Sequence, residues 1–463
     1  MESNLVNLIT SKDKGWNQRW KHNCAIFIIS YIFMGCVTGI TNDSYMSYLN
    51  LTVPNVVKGF SMYMSISTFI LAIVLLFAHK FGYKKLILLA PIIIIGSLFA
   101  CIYSNDSNVI MIANVVLMIG VCMYDYIYPL MFTSYTPPEE RTKMFARVMY
   151  CNLISQSILG FFNGKIVVWK FAKSLHITYD KASILSEHPG KLSAGQLTSY
   201  LGGYKFVLWI AVALTLLSLF ALLFLREEVQ DYQETPEEMA ERKSEKKFDF
   251  KLFANKYVVM WIVVVSLIRF GALLVTPYFP IYLNNFLHIS RGTVSTIITF
   301  QSLAMVLGFF ATPYLEKKFG SIVTIAATTI FCIPLMLVMA NGAMITTNIA
   351  WVIGAVLFVR SGLANTSGPI QGSLPLTFVP KNLVPAYNSL IIICNSIVGI
   401  IAGLCSRYYL LQTDAGYGMS YYITSVFYFT ACIVLLIVFT KKYNRSLDKE
   451  ETKESKEEAV QAN

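Results

Sequence analysis

Apolar blocks of about 20 residues, the length that crosses the hydrocarbon of a bilayer, recur twelve times along this chain. Lipid offers no water to backbone N–H and C=O groups, so each block must satisfy its own as a helix. The spans read at 24–47, 56–78, 85–103, 109–133, 145–169 and 204–225, then at 257–283, 291–314, 321–341, 347–372, 384–407 and 420–440. Composition agrees: 56% of the residues are hydrophobic and 14% charged, against roughly a quarter charged in soluble proteins. The expected fold class is an all-α membrane protein of twelve transmembrane helices.

Charge sets the orientation. With the N-terminus inside, roughly three in four of the Lys and Arg residues fall on the cytoplasmic side. The net charge of +11 therefore reflects topology and calls for no nucleic-acid partner. The expected division is a cytoplasmic segment at 1–23, a six-helix bundle at 24–225, a charged cytoplasmic linker at 226–256, a second bundle at 257–440 and a disordered cytoplasmic tail at 441–463. No cleavable signal is read, because Met1–His22 is polar and the first apolar block is already a full span. The linker runs acidic then basic, which suits a solvated connector or a surface helix. The stretch 170–201 reads as a long mixed outer loop broken at Pro189 and Gly190. All nine cysteines fall inside spans without CxxC spacing, as core-filling residues.

Between spans two and three lies Phe77-Ala-His-Lys-Phe-Gly-Tyr-Lys-Lys85, a short basic hinge. A fainter copy, Pro313-Tyr-Leu-Glu-Lys-Lys-Phe-Gly-Ser321, lies between spans eight and nine. Spans five and eleven also match: Pro137 with Pro380, Cys151-Asn152 with Cys394-Asn395, and Gly160 with Gly403. Halves built as repeats are a transporter feature. On these motifs, with Thr136-Pro-Pro-Glu-Glu-Arg-Thr-Lys143 before span five and Gly202-Gly-Tyr-Lys-Phe206 in span six, residues 20–445 resemble the major facilitator superfamily.

The resemblance implies two six-helix bundles related by a pseudo-two-fold repeat, alternating access, and a central path lined by spans one, four, seven and ten. It also implies that the hinge locks and releases the cytoplasmic side. The gate residues are then His79, Lys80, Gly82, Lys84, Lys85 and Arg141. Lys80, Gly82, Lys84 and Lys85 fit the family pattern; His79 replaces its Asp, placing a group that titrates near neutrality in the latch. The plainer readings are a topological anchor for the hinge and simple helix capping around Arg141.

Ionisable groups at bilayer depth cost about 2.5–3.5 kcal/mol on insertion scales and persist when paired or used. Asp43, Asp125, Arg269 and Arg360 are the four, one on each of the spans that line the path in that family. Asp125, beside Tyr124 and Tyr128, is the expected proton carrier; the alternative is a fixed salt bridge to Arg360 or Arg269. Asp43 is either a second coupling residue or part of a wet outer helix end. Arginine keeps its charge, so Arg269 and Arg360 need an anion, either those acids or an anionic or zwitterionic solute. Asn152, Gln156, Gln301, Asn365 and Asn388 join them as candidate solute contacts, although interhelical hydrogen bonds explain such residues equally well. Tyr31 and Tyr278 are further candidates for the cavity wall.

No HExxH, Walker loop or nucleophile–base spacing is present, so neither an enzyme, a cofactor nor a metal is expected. The reading is a monomeric, proton-coupled secondary transporter of a small organic solute in the cell membrane, both termini cytoplasmic. The alternatives are a multidrug or lipid exporter on the same fold and a non-transporting membrane sensor.

Overall fold

A computed structural model describes residues 2–75, 81–135, 138–228, 255–345, 347–379, 384–413 and 415–444. Every regular element among them is helical. Among the described residues, ten helical stretches are long and apolar enough to cross a membrane: Arg19–Thr52, Tyr83–Tyr103, Ser107–Ile127, Ala194–Leu223, Lys256–Phe286, Arg291–Phe319, Ser321–Ala340, Ile349–Ser373, Tyr387–Leu410 and Ala415–Tyr443. The second and fifth expected spans fall on the helices Phe60–Leu75 and Pro138–Leu175. The first of these is only 16 residues long, and the second carries Asn152, Gln156, Asn163 and Lys165 within its apolar stretch. Most of the acidic-to-basic linker and the tail beyond Asn444 lie outside the described residues.

The chain forms two compact units. One comprises 1–56, 66–182 and 193–241; the other comprises 57–65, 183–192 and 242–463. Two short stretches of the first half of the sequence thus belong with the second. Ser61 Oγ donates to the Leu273 carbonyl at 2.7 Å, and Tyr278 Oη donates to that of Lys58 at 3.1 Å. Asn284 Nδ2 donates to the Ser186 carbonyl at 2.9 Å, and the Arg291 backbone N–H donates to Ser186 Oγ at 3.1 Å. The stretch expected as one long outer loop is largely helical. Span five runs on to Leu175, a short helix covers Tyr179–Leu185, and a capping box at Ser193 and Gln196 starts span six.

Local chemistry explains where spans break. Pro277 and Pro280 remove backbone donors from span seven, whose α-helix stops at Val275 and gives way to a 3-10 turn, a short helix and the π-turn Tyr282–Phe286. Span one has its own π-turn, Thr41–Tyr45, around Asp43. Gly35 and Gly39 bring span one against span five: a Cβ at Gly35 would lie 2.5 Å from the Asn152 carbonyl, and one at Gly39 would lie 2.6 Å from that of Gln156.

Candidate functional site

In the first unit the site is built on Asp125, from the span-four helix Ser107–Tyr135. Its side chain is exposed, while Met123, Tyr124 and Ile127 on either side are buried. The helix thus buries these apolar neighbours and leaves part of the acid's own surface open. A carboxylate at bilayer depth is costly unless it is neutralised, hydrated or hydrogen-bonded. The hydroxyl of Tyr31, on span one, donates a hydrogen bond to Asp125 Oδ1. Among the described residues of its own unit, Asp125 forms no ion pair.

The phenol beside the acid differs from expectation. The sequence points to Tyr124 as the neighbouring donor, yet it is buried, and its hydroxyl meets Ser218 Oγ at 2.7 Å and Ser30 Oγ at 3.4 Å. Residues i and i+1 on a helix project about 100° apart, so Tyr124 faces the bundle interior when Asp125 faces out. Its ring supports the site indirectly, stacked on Tyr31 with centroids 5.9 Å apart and planes at 11°. The Tyr31 carbonyl accepts from Asn152 Nδ2 at 3.1 Å, which fixes span one to span five. Asn152 is thereby engaged in packing; Gln156, one turn on, is half-buried and makes no hydrogen bond to a described residue. The side chain of Tyr128 lies outside the described residues.

Asp43 is not at a wet helix end. It is fully buried within the π-turn, and its neighbour Ser44 donates to Asn163 Oδ1. Ser30, Ser218 and Asn163, absent from the sequence candidates, belong to the buried polar groups of this unit; single polar residues in apolar runs were their only signal.

In the second unit, Arg269 is half-buried on span seven. Arg360, on the span-ten helix Ile349–Thr366, is 3% exposed. Its guanidinium donates to Tyr428 Oη at 3.4 Å and lies over the Phe279 ring, 5.5 Å from the centroid. Those partners come from spans twelve and seven, so the charge sits inside the bundle. Gln301 is buried, Asn365 donates back to the Ser361 carbonyl at 2.9 Å, and Asn388 is exposed. Tyr278 is buried, and its hydroxyl donates to the Lys58 carbonyl.

At the hinge, Gly82 has φ 85° and ψ 146°, a conformation that suits glycine. The Lys84 backbone N–H donates to Glu227 Oε1 at 2.9 Å. Its ammonium donates to the carbonyls of Leu223 at 3.1 Å and Leu225 at 2.5 Å, capping the end of span six. Lys85 is exposed. Further on, Asn23 exchanges two hydrogen bonds with the Arg226 backbone at 2.7 and 2.8 Å, and Arg19 pairs with Glu228. The second hinge repeats the plan with a neutral fastener: Gly320 has φ 83°, and Asn444 Oδ1 accepts from the Ile322 and Val323 N–H groups at 3.0 Å each. His79, Lys80 and the Arg141 side chain lie outside the described residues.

Residues 190–404 match the family model of the Major Facilitator Superfamily. No curated protein matches the chain in sequence. Among solved structures, the chain is similar to a mutant of the nucleoside transporter NupG, with 15% identity, a TM-score of 0.66, and 90% of this chain and 99% of that one covered. It is also similar to a D-xylose-proton symporter, with 12% identity, a TM-score of 0.65, and 92% and 98% covered. A third is a bacterial homologue of the iron transporter ferroportin in an inward-facing state, with 12% identity, a TM-score of 0.64, and 90% and 98% covered. These likenesses are of fold.

Proposed function

We propose that this chain, a multi-pass membrane protein of the major facilitator superfamily, is a secondary transporter that moves a small organic solute by alternating access and couples that movement to protons. The observation that carries the coupling is Asp125: an exposed carboxylate on a membrane span, oriented by Tyr31 and without an ion pair to any described residue of its own unit. Such a group can take a proton on one side and give it up on the other, whereas an acid locked in a salt bridge cannot. Asp43, buried at the span-one π-turn, is the second candidate for that role.

Solute contact falls chiefly to half-buried Arg269 and Gln156, with Asn365, exposed Asn388 and the buried Gln301 as further candidates. A guanidinium among amides favours an anionic or zwitterionic solute. The similar structures are titled as transporters of nucleosides and of xylose with protons, which supports a small polar cargo. The hinge residues His79, Lys80, Gly82, Lys84 and Lys85, with Arg141, form the cytoplasmic gate. The protein works as a monomer in the cell membrane with both termini inside.

A thermal-shift screen of organic anions, amino acids, nucleosides and sugars at two pH values supplies the solute. Uptake of that solute into proteoliposomes under an imposed pH gradient then tests the coupling. Asp125→Asn is expected to abolish proton-driven accumulation while leaving solute exchange in place. Accumulation that survives the substitution unchanged removes Asp125 from the mechanism.

A further inference from the structure

We propose that the second unit binds a halide-sized monovalent anion against Arg360. The side chain is 3% exposed, and among the described residues it has no carboxylate partner. Its polar contact is the neutral hydroxyl of Tyr428 at 3.4 Å, and its cationic face lies over the Phe279 ring. Its Nε–H is buried and makes no hydrogen bond to a described residue. A guanidinium holds its proton throughout the physiological range, so it cannot escape burial by becoming neutral. A buried, permanently charged donor needs a compensating negative charge.

The surroundings select the class of anion. Tyr421, 2% exposed on span twelve, lies within electrostatic reach of the guanidinium, and its hydroxyl donates to no described residue. The guanidinium N–H groups not used by Tyr428, set beside the Phe279 ring, suit a small acceptor of low hydration. An organic solute needs a face to approach, which a side chain this enclosed does not give it. Phosphate and sulfate are more strongly hydrated, and as dianions they overcompensate a single enclosed guanidinium, so their desolvation disfavours them here. The anion is therefore distinct from the transported solute, and the inference stands whatever that solute is.

The test uses the purified full chain in detergent. Chloride is titrated against gluconate at constant ionic strength while unfolding is followed by heat, and chloride-35 NMR linewidths are recorded with bromide as competitor. Chloride is expected to raise the Tm saturably, by about 2–5 °C, with line broadening that bromide reverses. Tyr421→Phe is expected to weaken the chloride response about tenfold, the loss of one hydrogen bond to a charged group. Arg360→Gln is expected to abolish the response; if that variant does not fold, Tyr421→Phe and the bromide competition decide. Equal Tm in chloride and gluconate, absence of broadening, or a chloride response unchanged by Tyr421→Phe overturns the proposal. None of these readouts depends on transport, so a failed coupling experiment leaves the result interpretable.

Discussion

Spans four and ten hold corresponding places in the two halves of the repeat, and they carry opposite charges in opposite settings. Asp125 is exposed and receives a hydrogen bond from a phenol; Arg360 is buried and gives one to a phenol. The difference follows the chemistry of the two groups. A carboxylate can lose its charge, which suits the exposed Asp125 to the proton exchange proposed above. A guanidinium cannot, so enclosure makes it a fixed positive centre. One helical scaffold thus holds an exposed acid in one unit and an enclosed permanent charge in the other.

The hinges differ in the same sense: the first is fastened by charged groups, Lys84 and Glu227, and the second by the amide of Asn444. The largest effect is expected there. Gly320→Ala places a Cβ 2.5 Å from Asn444 Oδ1 at φ 83°, so backbone strain adds to the loss of the amide caps. We expect about 2–4 kcal/mol of destabilisation. Gly82→Ala, at φ 85°, costs about 1–3 kcal/mol in backbone strain. Thermal unfolding measures both, and an equal loss at the two hinges breaks the contrast.

The two phenols come next. Tyr428→Phe removes a hydrogen bond from a buried charge and is expected to lower stability by about 1–3 kcal/mol without changing proton coupling. Tyr31→Phe is expected to do the reverse, slowing proton-driven uptake about tenfold with little change in Tm. Identical phenotypes would erase the distinction between a titrating and a fixed site.

The smallest effect belongs to the pair His188 and His288, whose rings lie 4.5 Å apart in the second unit. Desolvation first, then Lys191 and His288, hold His188 below the usual histidine range, with Glu187 opposing. A base with a depressed native pKa binds protons more readily when undocked. The docking of 183–192 is therefore intact above about pH 6.5 and weakens as the pH falls through the native value. Hydrogen exchange in that segment should rise between pH 7.5 and 5.5, and His188→Gln should flatten the change.

Much of this was legible in the sequence, because span length and charge asymmetry are imposed by the bilayer rather than by tertiary packing. The twelve blocks, the paired hinges and the four intramembrane charges needed no structure. Which way each side chain faces did need one. Asp125 and Tyr124 are adjacent in sequence, and only the packing of span four against spans one and six decides that the acid is exposed and the phenol buried. Tyr31 lies far from Asp125 along the chain, so no local spacing links them. Asp43 looks like a helix end in sequence because the π-turn that buries it leaves no mark in hydropathy.

The two stretches that sit with the second unit, 57–65 and 183–192, bear on how the protein is made. When the first six spans have left the ribosome, Ser61 and Ser186 still lack Leu273, Asn284 and Arg291, which have yet to be synthesised. The first half cannot complete its fold before the second arrives. Docking of these two stretches is complete only once spans seven and eight have been made.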